Sequence, residues 1–358
     1  MISQFDLKNE YALLRDEIQN ELEKVFFNTS FIGGSNVDLI EKNIKDYLGV
    51  KYAISCNSGT DALHFALRSL GIGKGDEVIT TPFTFISTIE AIMYVGAKPV
   101  FADIDLDTYN INCEEILKKI TKKTRAILPV HIFGNPVDVE RIKNVINNDS
   151  IKVIEDCAQS FGAGINCKRT GGIGDVGCLS FNGNKIITTG GGGAVITNKK
   201  NLAKKIRYLS STAKVKHKWE YIHDDIGYNF KMPSLNAALG LAQISKIDIF
   251  LKAKRRLFNK YSKNLKQLIG VSIFQEGKNL KSNYWLQTLI LDKRYKYLKD
   301  ELLNYCYKKK IFLRPTWKLI SSLKPYKKTQ KMDLSGAKDI ADRVINLPSS
   351  QSLLIHKS

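Results

Sequence analysis

Lys185 stands in the run Ser180-Phe-Asn-Gly-Asn-Lys185-Ile-Ile-Thr-Thr-Gly-Gly-Gly-Gly193, one lysine between a hydroxyl and four glycines, with strand-like runs on both sides. Glycines let backbone come close to a bulky planar group and adopt conformations closed to other residues. A lysine desolvated in such a pocket can shed its proton and form an imine with a carbonyl. In a chain rich in lysine, the ordinary alternative is one more solvated surface charge. The company Lys185 keeps elsewhere has to decide.

Four other stretches carry chemistry. Cys56-Asn-Ser-Gly59-Thr60-Asp61-Ala-Leu63 joins a strand to a helix, where free backbone N–H groups and the helix dipole suit an anion. The same residues would also serve as an ordinary helix cap. Val153-Ile-Glu-Asp156-Cys-Ala-Gln159-Ser160 ends a strand in a carboxylate, and a buried carboxylate needs a cationic partner. The protonated ring nitrogen of pyridoxal phosphate is one candidate; an aspartate capping a loop is the plain reading. Thr81-Pro-Phe-Thr-Phe85-Ile-Ser-Thr88 sets aromatics after another strand, with Phe85 free to stack on a flat ring or to fill the core. Gly227-Tyr-Asn229-Phe-Lys231 puts polar residues in a turn, with an exposed loop as the simple alternative.

The elements that must hold these residues alternate. Between about residues 36 and 200, strand-like runs (Tyr52–Ser55, Glu77–Thr80, Pro99–Phe101, Ala126–Val130, Lys152–Glu155) are separated by helix-like segments (Thr60–Leu70, Thr84–Tyr94, Cys113–Ile120, Val137–Ile146). That pattern predicts an α/β fold with parallel strands under covering helices. Such sheets bind ligands beyond the carboxyl ends of their strands, which is where the first three of these stretches fall, the fourth lying in a turn before a later helix. One long helix is expected from Ser234 to about Leu268, capped by Ser234. A strand over Tyr284–Leu291, a helix over Tyr297–Lys308 and a strand over Ile311–Leu313 follow. The length suits a large domain over residues 1–235, with an N-terminal helical segment, and a connecting helix plus small α+β domain over 236–358.

Composition narrows the class. An apolar fraction of 43% supports a substantial core, and no run reaches membrane-spanning length. No signal segment opens the chain, so the cytoplasm is the expected location and the six cysteines are expected as free thiols without metal-ligand spacing. The net charge of +20 asks for an anionic partner. Yet the lysines are scattered, arginine is scarce and no nucleic-acid module occurs. The excess reads as lysine-rich composition, with a phosphorylated ligand as a contributing cause.

Taken in order, a phosphate turn, a stacking aromatic, a strand-end aspartate and a glycine-flanked lysine resemble the series of a fold-type I pyridoxal-phosphate enzyme. From about Asp6 to Pro348 the chain resembles the DegT/DnrJ/StrS family of sugar-nucleotide aminotransferases, and within it the LegC-like branch. The residues carrying the likeness are Phe181–Gly193, Ser211-Thr-Ala-Lys-Val-Lys-His-Lys-Trp-Glu220, Asp225–Leu239 and Arg314-Pro-Thr-Trp-Lys318. Family members continue past an Asn-Leu-Pro-Ser-Ser element with one more helix, whereas here Asn346–Ser350 is followed only by Gln351–Ser358.

The resemblance implies a fold-type I aminotransferase binding pyridoxal 5'-phosphate, with a mainly parallel central sheet. It makes Lys185 the lysine that joins the cofactor and later moves the proton between cofactor and substrate carbons. Asp156 would pair with the pyridine nitrogen, Gln159 would lie by the phenolic oxygen and Phe85 would stack on the ring. Gly59, Thr60, Asp61 and Ser180 would cradle the phosphate. Asn229 would reach the cofactor phosphate of a neighbouring subunit, which makes a homodimer part of the site. Lys214, Lys216, Lys218 and Lys231 would meet the diphosphate of a nucleotide sugar. Related dehydratases carry histidine where Lys185 stands, so the resemblance favours aminotransfer. The implied activity converts a nucleotide-linked 4-keto-6-deoxyhexose to its 4-amino sugar, with L-glutamate as donor, for a surface polysaccharide or glycan. A 3-keto substrate remains open, and a cofactor-bearing regulator or nucleic-acid binder stands as a remote alternative.

Overall fold

The computed structural model describes residues 1–326 and 333–355. Seven strands form the main sheet: β1 (Tyr52–Cys56), β2 (Glu77–Thr80), β3 (Lys98–Phe101), β4 (Thr124–Ile127), β5 (Lys152–Asp156), β6 (Val176–Ser180) and β7 (Gly193–Thr197). Their order is β1-β7-β6-β5-β4-β2-β3. Only β7 runs against its neighbours, placing Tyr52 opposite Thr197 and Ser180 opposite Gly193. The other pairings are parallel. Their residues are buried on both faces and read as near-continuous β-branched runs, as expected of strands covered by helices.

Helix α1 (Leu7–Asn28) and helix α2 (Ser35–Leu48) precede the sheet. Helix α3 (Gly59–Ser69) follows β1 and starts where Ser58 Oγ accepts the Asp61 N–H, an N-cap of the usual chemistry. Its Ala62, Leu63, Phe65, Ala66 and Leu67 are buried against the sheet. Helix α4 (Ser87–Tyr94) follows β2. Among the described residues no helix is long and apolar enough to cross a membrane.

The segment expected as one helix from Ser234 is two, α5 (Ser234–Ile244) and α6 (Ile247–Leu265). Helix α5 is buried almost all round, between α1 and α2. Helix α6 buries only one face, so the chain must turn between them, and Asp248 in the first turn of α6 suits its N-terminus. Ser234 does not cap α5; its Oγ donates to the Gly33 carbonyl instead.

A second sheet of four strands has the order β8 (Val271–Ile273), β9 (Gln287–Leu291), β11 (Val344–Leu347), β10 (Arg314–Pro315). The strand expected from Tyr284 begins only at Gln287, because Tyr284 sits at φ 47° and its N–H is taken by Ser282 Oγ. Likewise Ile311 makes a single bridge to Ile2, and the paired strand is Arg314–Pro315. Helix α7 (Ser335–Arg343) leads into β11 and is tied to the main sheet, since Asp103 accepts the N–H groups of Gly336 and Ala337 at 2.8 Å each.

Candidate active site

The carboxyl ends of β1, β2, β5 and β6 open onto a cleft of about 520 Å³. Gly59, Thr60, Phe85, Asp156, Gln159, Ser180 and Lys185 all line it. At the start of α3, the N–H groups of Gly59 and Thr60 donate to no protein acceptor among the described residues, which leaves an anion site on the helix dipole. A side chain at Gly59 would come within 2.7 Å of Ser180 Cβ, so glycine is what lets β6 approach that helix end.

Asp156 is buried. Thr88 Oγ1 donates to its Oδ2 at 2.9 Å and the Ala158 N–H to its Oδ1 at 3.1 Å. Burial pushes its carboxyl above the usual range, against those two hydrogen bonds and the nearby charge of Lys185. No cation among the described residues lies within ion-pair reach of it. A buried acid facing a cleft without a partner suits a cationic ring nitrogen.

Its neighbour Glu155 faces the other way and is fully satisfied. Its two oxygens accept N–H groups from Gly171, Ile173 and Gly174, and His131 Nε2 donates at 3.1 Å. Burial opposes its charge, yet the His131 bond and the glycine amides hold the carboxyl below the usual range. Glu155, His131 and Cys157 lie close enough together to suggest a metal site. The hydrogen bonds already occupy both carboxylate oxygens and both ring nitrogens, since His131 Nδ1 accepts the Val137 N–H. The cluster therefore anchors β5 and leaves no free ligand atoms on Glu155 or His131.

Lys185 is half-buried, and burial pulls its amine down to about 8 against the charge of Asp156. Its loop is folded on itself, Lys185 N–H to Asn182 O at 3.0 Å, and stapled by Asn236 Nδ2 to the carbonyls of Thr189 and Gly191. A role expected of the glycine run falls elsewhere: a side chain at Gly193 would collide with the backbone of Ser58 and Gly59, so that glycine packs against the anion site's own loop. Gln159 Oε1 accepts the Phe133 N–H at 2.7 Å, leaving its amide nitrogen for the cleft. Phe85 is 49% exposed, its ring edge-on to Trp317 at 6.1 Å.

Asn229, Lys214, Lys216 and Lys231 are not in this cleft. They line a second one of about 870 Å³, together with Lys200, Lys204 and Arg207. Asp61 and Lys218 line neither. The Asp61 N–H is turned inward to Ser58, and Lys218 lies over the exposed Trp219 ring. Sequence reasoning missed Phe5, Thr88, Trp285, Arg314 and Trp317 in the first cleft. For Thr88 a signal existed, a hydroxyl one helical turn after Thr84; for Phe5 and Trp285 none did, because distant segments bring them in.

A sequence profile of the DegT/DnrJ/EryC1/StrS aminotransferase family matches residues 13–356. The chain belongs to that family. It is 39% identical over 321 residues to a GDP-perosamine synthase of Escherichia coli O157:H7, covering 89% of this chain and 86% of that protein. It is 40% identical over 266 residues to a UDP-N-acetyl-3-dehydro-alpha-D-glucosamine 3-aminotransferase of Acidithiobacillus ferrooxidans, covering 74% and 71%. The fold superposes on DesV of S. venezuelae with a TM-score of 0.91 at 28% identity, covering 98% of this chain and 95% of that one. This DegT/DnrJ/EryC1/StrS enzyme is thus a pyridoxal-phosphate-dependent sugar aminotransferase. The cleft fits the cofactor: free amides for a phosphate, a buried carboxylate with no cation in ion-pair reach among the described residues for a ring nitrogen, and a lysine whose amine is pulled down to about 8.

Proposed function

We propose that this aminotransferase converts a nucleotide-linked 4-keto-6-deoxyhexose to the 4-amino-4,6-dideoxyhexose, with L-glutamate as donor, in the cytoplasm, for a surface polysaccharide or glycan. The observation that carries the choice of C4 is the likeness to the perosamine synthase, a 4-amino enzyme, over more of both chains than the likeness to the 3-aminotransferase. The Ile186-Ile187-Thr188-Thr189-Gly190-Gly191 stretch supports it by its resemblance to 4-keto enzymes.

Pyridoxal phosphate supplies the aldehyde that takes up an amino group and the electron sink that lets the neighbouring C–H ionise. The chain's residues do the rest. Gly59 and Thr60 N–H groups, with Ser180, would hold the phosphate. Asp156, braced by Thr88, would keep a proton on the ring nitrogen. Phe85 and Gln159 would help to hold the ring. Lys185, with its amine near 8, takes a proton from the donor's carbon and returns one to the sugar's carbon. The donor leaves as its keto acid and the sugar as its amine, so the two half-reactions balance.

The second cleft supports a dimeric site. Asn229 lies away from its own chain's cofactor cleft, where a residue serving a neighbour's phosphate has to lie. Lys214, Lys216 and Lys231 beside it offer the charge a diphosphate needs.

Loaded enzyme is incubated with L-glutamate and a nucleotide-linked 4-keto-6-deoxyhexose, and the product is examined by NMR. A 4-amino sugar with equimolar 2-oxoglutarate is expected. Turnover of the 3-keto isomer alone overturns the proposal.

A further inference from the structure

Trp285 lies on the short irregular stretch before β9, far in sequence from the lysine loop, yet its ring meets that loop. Lys185 Nζ sits 3.9 Å from the centre of the Trp285 ring. No hydrogen-bond acceptor and no carboxylate within ion-pair distance holds that amine among the described residues. The indole is fixed on every side. Its Nε1–H donates to the Asn184 carbonyl at 2.7 Å, the residue just before the lysine. Its own N–H goes to Asn283 Oδ1 at 2.8 Å, and its carbonyl accepts from the buried Lys254 at 3.1 Å. Phe5, which also lines the cleft, stacks on it with centroids 6.1 Å apart and planes at 24°. Trp285 is left 4% exposed.

We infer that the indole face of Trp285 is the seat of the Lys185 amine whenever that amine is not joined to the cofactor, which makes Trp285 a positioning residue for the transfer. Through both half-reactions the free amine would have to stay within reach of the carbons whose protons it moves. A carboxylate within reach would tie down the ammonium and compete for its proton. An aromatic face attracts the cation without accepting its proton, and the attraction is largest for tryptophan in a desolvated site. The seat therefore keeps the amine in reach and leaves it able to give and take a proton. The inference rests on Lys185 being the reactive lysine of the proposed function.

The charged groups around the amine are Asp156 from β5, Arg314 across the cleft from β10, and the pair Lys254 and Glu10 behind the indole. A side-chain change at Trp285 removes none of these charges, and the Lys254 bond is to its backbone carbonyl. The full chain is loaded with pyridoxamine phosphate, which cannot join the lysine, and is pulse-labelled with acetic anhydride across a pH series. Mass spectrometry of the Lys185 peptide then reads the neutral fraction of that one amine. The same series is run on the chain alone, with thermal melts as a check of folding.

Trp285→Leu is expected to move the midpoint down by about one unit from about 8. At pH 7 that is about a five-fold faster labelling. Trp285→Phe, which keeps a weaker face, is expected to shift by about half as much. A folded Trp285→Leu protein with the wild-type midpoint overturns the inference, and so does a phenylalanine variant shifted as far as the leucine one. Should the leucine variant fail to fold, a phenylalanine variant with an unmoved midpoint overturns it alone. No sugar or amino donor is present. A Trp285-dependent shift in a protein that binds no pyridoxamine phosphate would sink the proposed function and leave the seat standing.

Discussion

Glu155→Gln should destabilise this protein far more than so small a change suggests, because the geometry leaves the amide no acceptable orientation. Glu155 Oε1 accepts from Ile173 and Gly174, and Oε2 accepts from Gly171 and His131. Whichever way the glutamine is turned, its NH₂ faces two donors. His131 cannot relieve the clash by changing tautomer, since its Nδ1 is held as an acceptor by the Val137 N–H at 2.9 Å. Two charge-assisted bonds are lost at about 1.5–3 kcal/mol each, so the expected loss is about 3–6 kcal/mol. In a chain of 358 residues this is a fall in Tm on the order of 5 °C or more. The pH dependence gives a second handle. The folded carboxyl is held below its ordinary 4.5, so its contribution is present above that value and fades as pH falls through the folded one. Thermal melts of wild type and Glu155→Gln should therefore lie closer together at pH 4 than at pH 7. A loss under about 1 kcal/mol at pH 7, or a gap that widens on acidification, would refute the reasoning.

Asp156→Asn should leave the chain folded, because the Thr88 hydroxyl can turn to accept, yet lower aminotransfer by about 100-fold or more in kcat through loss of the fixed charge. Lys185→Ala should lack the visible absorbance band that wild type shows with pyridoxal phosphate, and L-glutamate should bleach that band only in wild type. Asp103→Ala leaves two N–H groups at the start of α7 unpaired and should cost about 2 kcal/mol in urea unfolding, with Asp103→Asn between. If the site is shared between subunits, co-refolded Lys185→Ala and Asn229→Ala chains should recover about a quarter of wild-type activity, since half the dimers are hybrids with one intact site. No recovery would separate Asn229 from the neighbour's cofactor.

The alternation of β-branched runs with amphipathic stretches was enough to give the parallel sheet, because strands buried on both faces have to be apolar throughout. Glu77–Thr80 begins and ends where the residues say, and strands do flank the lysine stretch, as Val176–Ser180 and Gly193–Thr197. The reversal of β7 was not legible, as nothing in Gly193–Thr197 distinguishes an antiparallel strand from a parallel one. Nor was the break after Ile244, which follows from how much of each helix must be covered and not from a proline or glycine at the turn. Seven of the expected site residues meet in one cleft because each follows a strand whose direction was already implied. Trp285 and Phe5 could not be found this way. Their positions depend on Asn283, Lys254 and the Asn184 carbonyl, contacts between segments far apart in the chain.

The same distinction bears on the charge. Scattered lysines read along the chain as composition, and most remain surface groups. Among the described residues, however, the cofactor cleft of a single chain has only Lys185 and Arg314 as cations. A diphosphate-linked sugar brings more negative charge than those two can balance while Lys185 must also be free to lose its proton. The chain's own second cleft gathers Lys200, Lys204, Lys214, Lys216 and Lys231, spread over more than thirty positions of sequence yet facing one space. Charge that looks unorganised in one dimension is therefore sorted in three, away from the reacting amine, where it can attract an anion without holding down the pKa of Lys185 by repulsion.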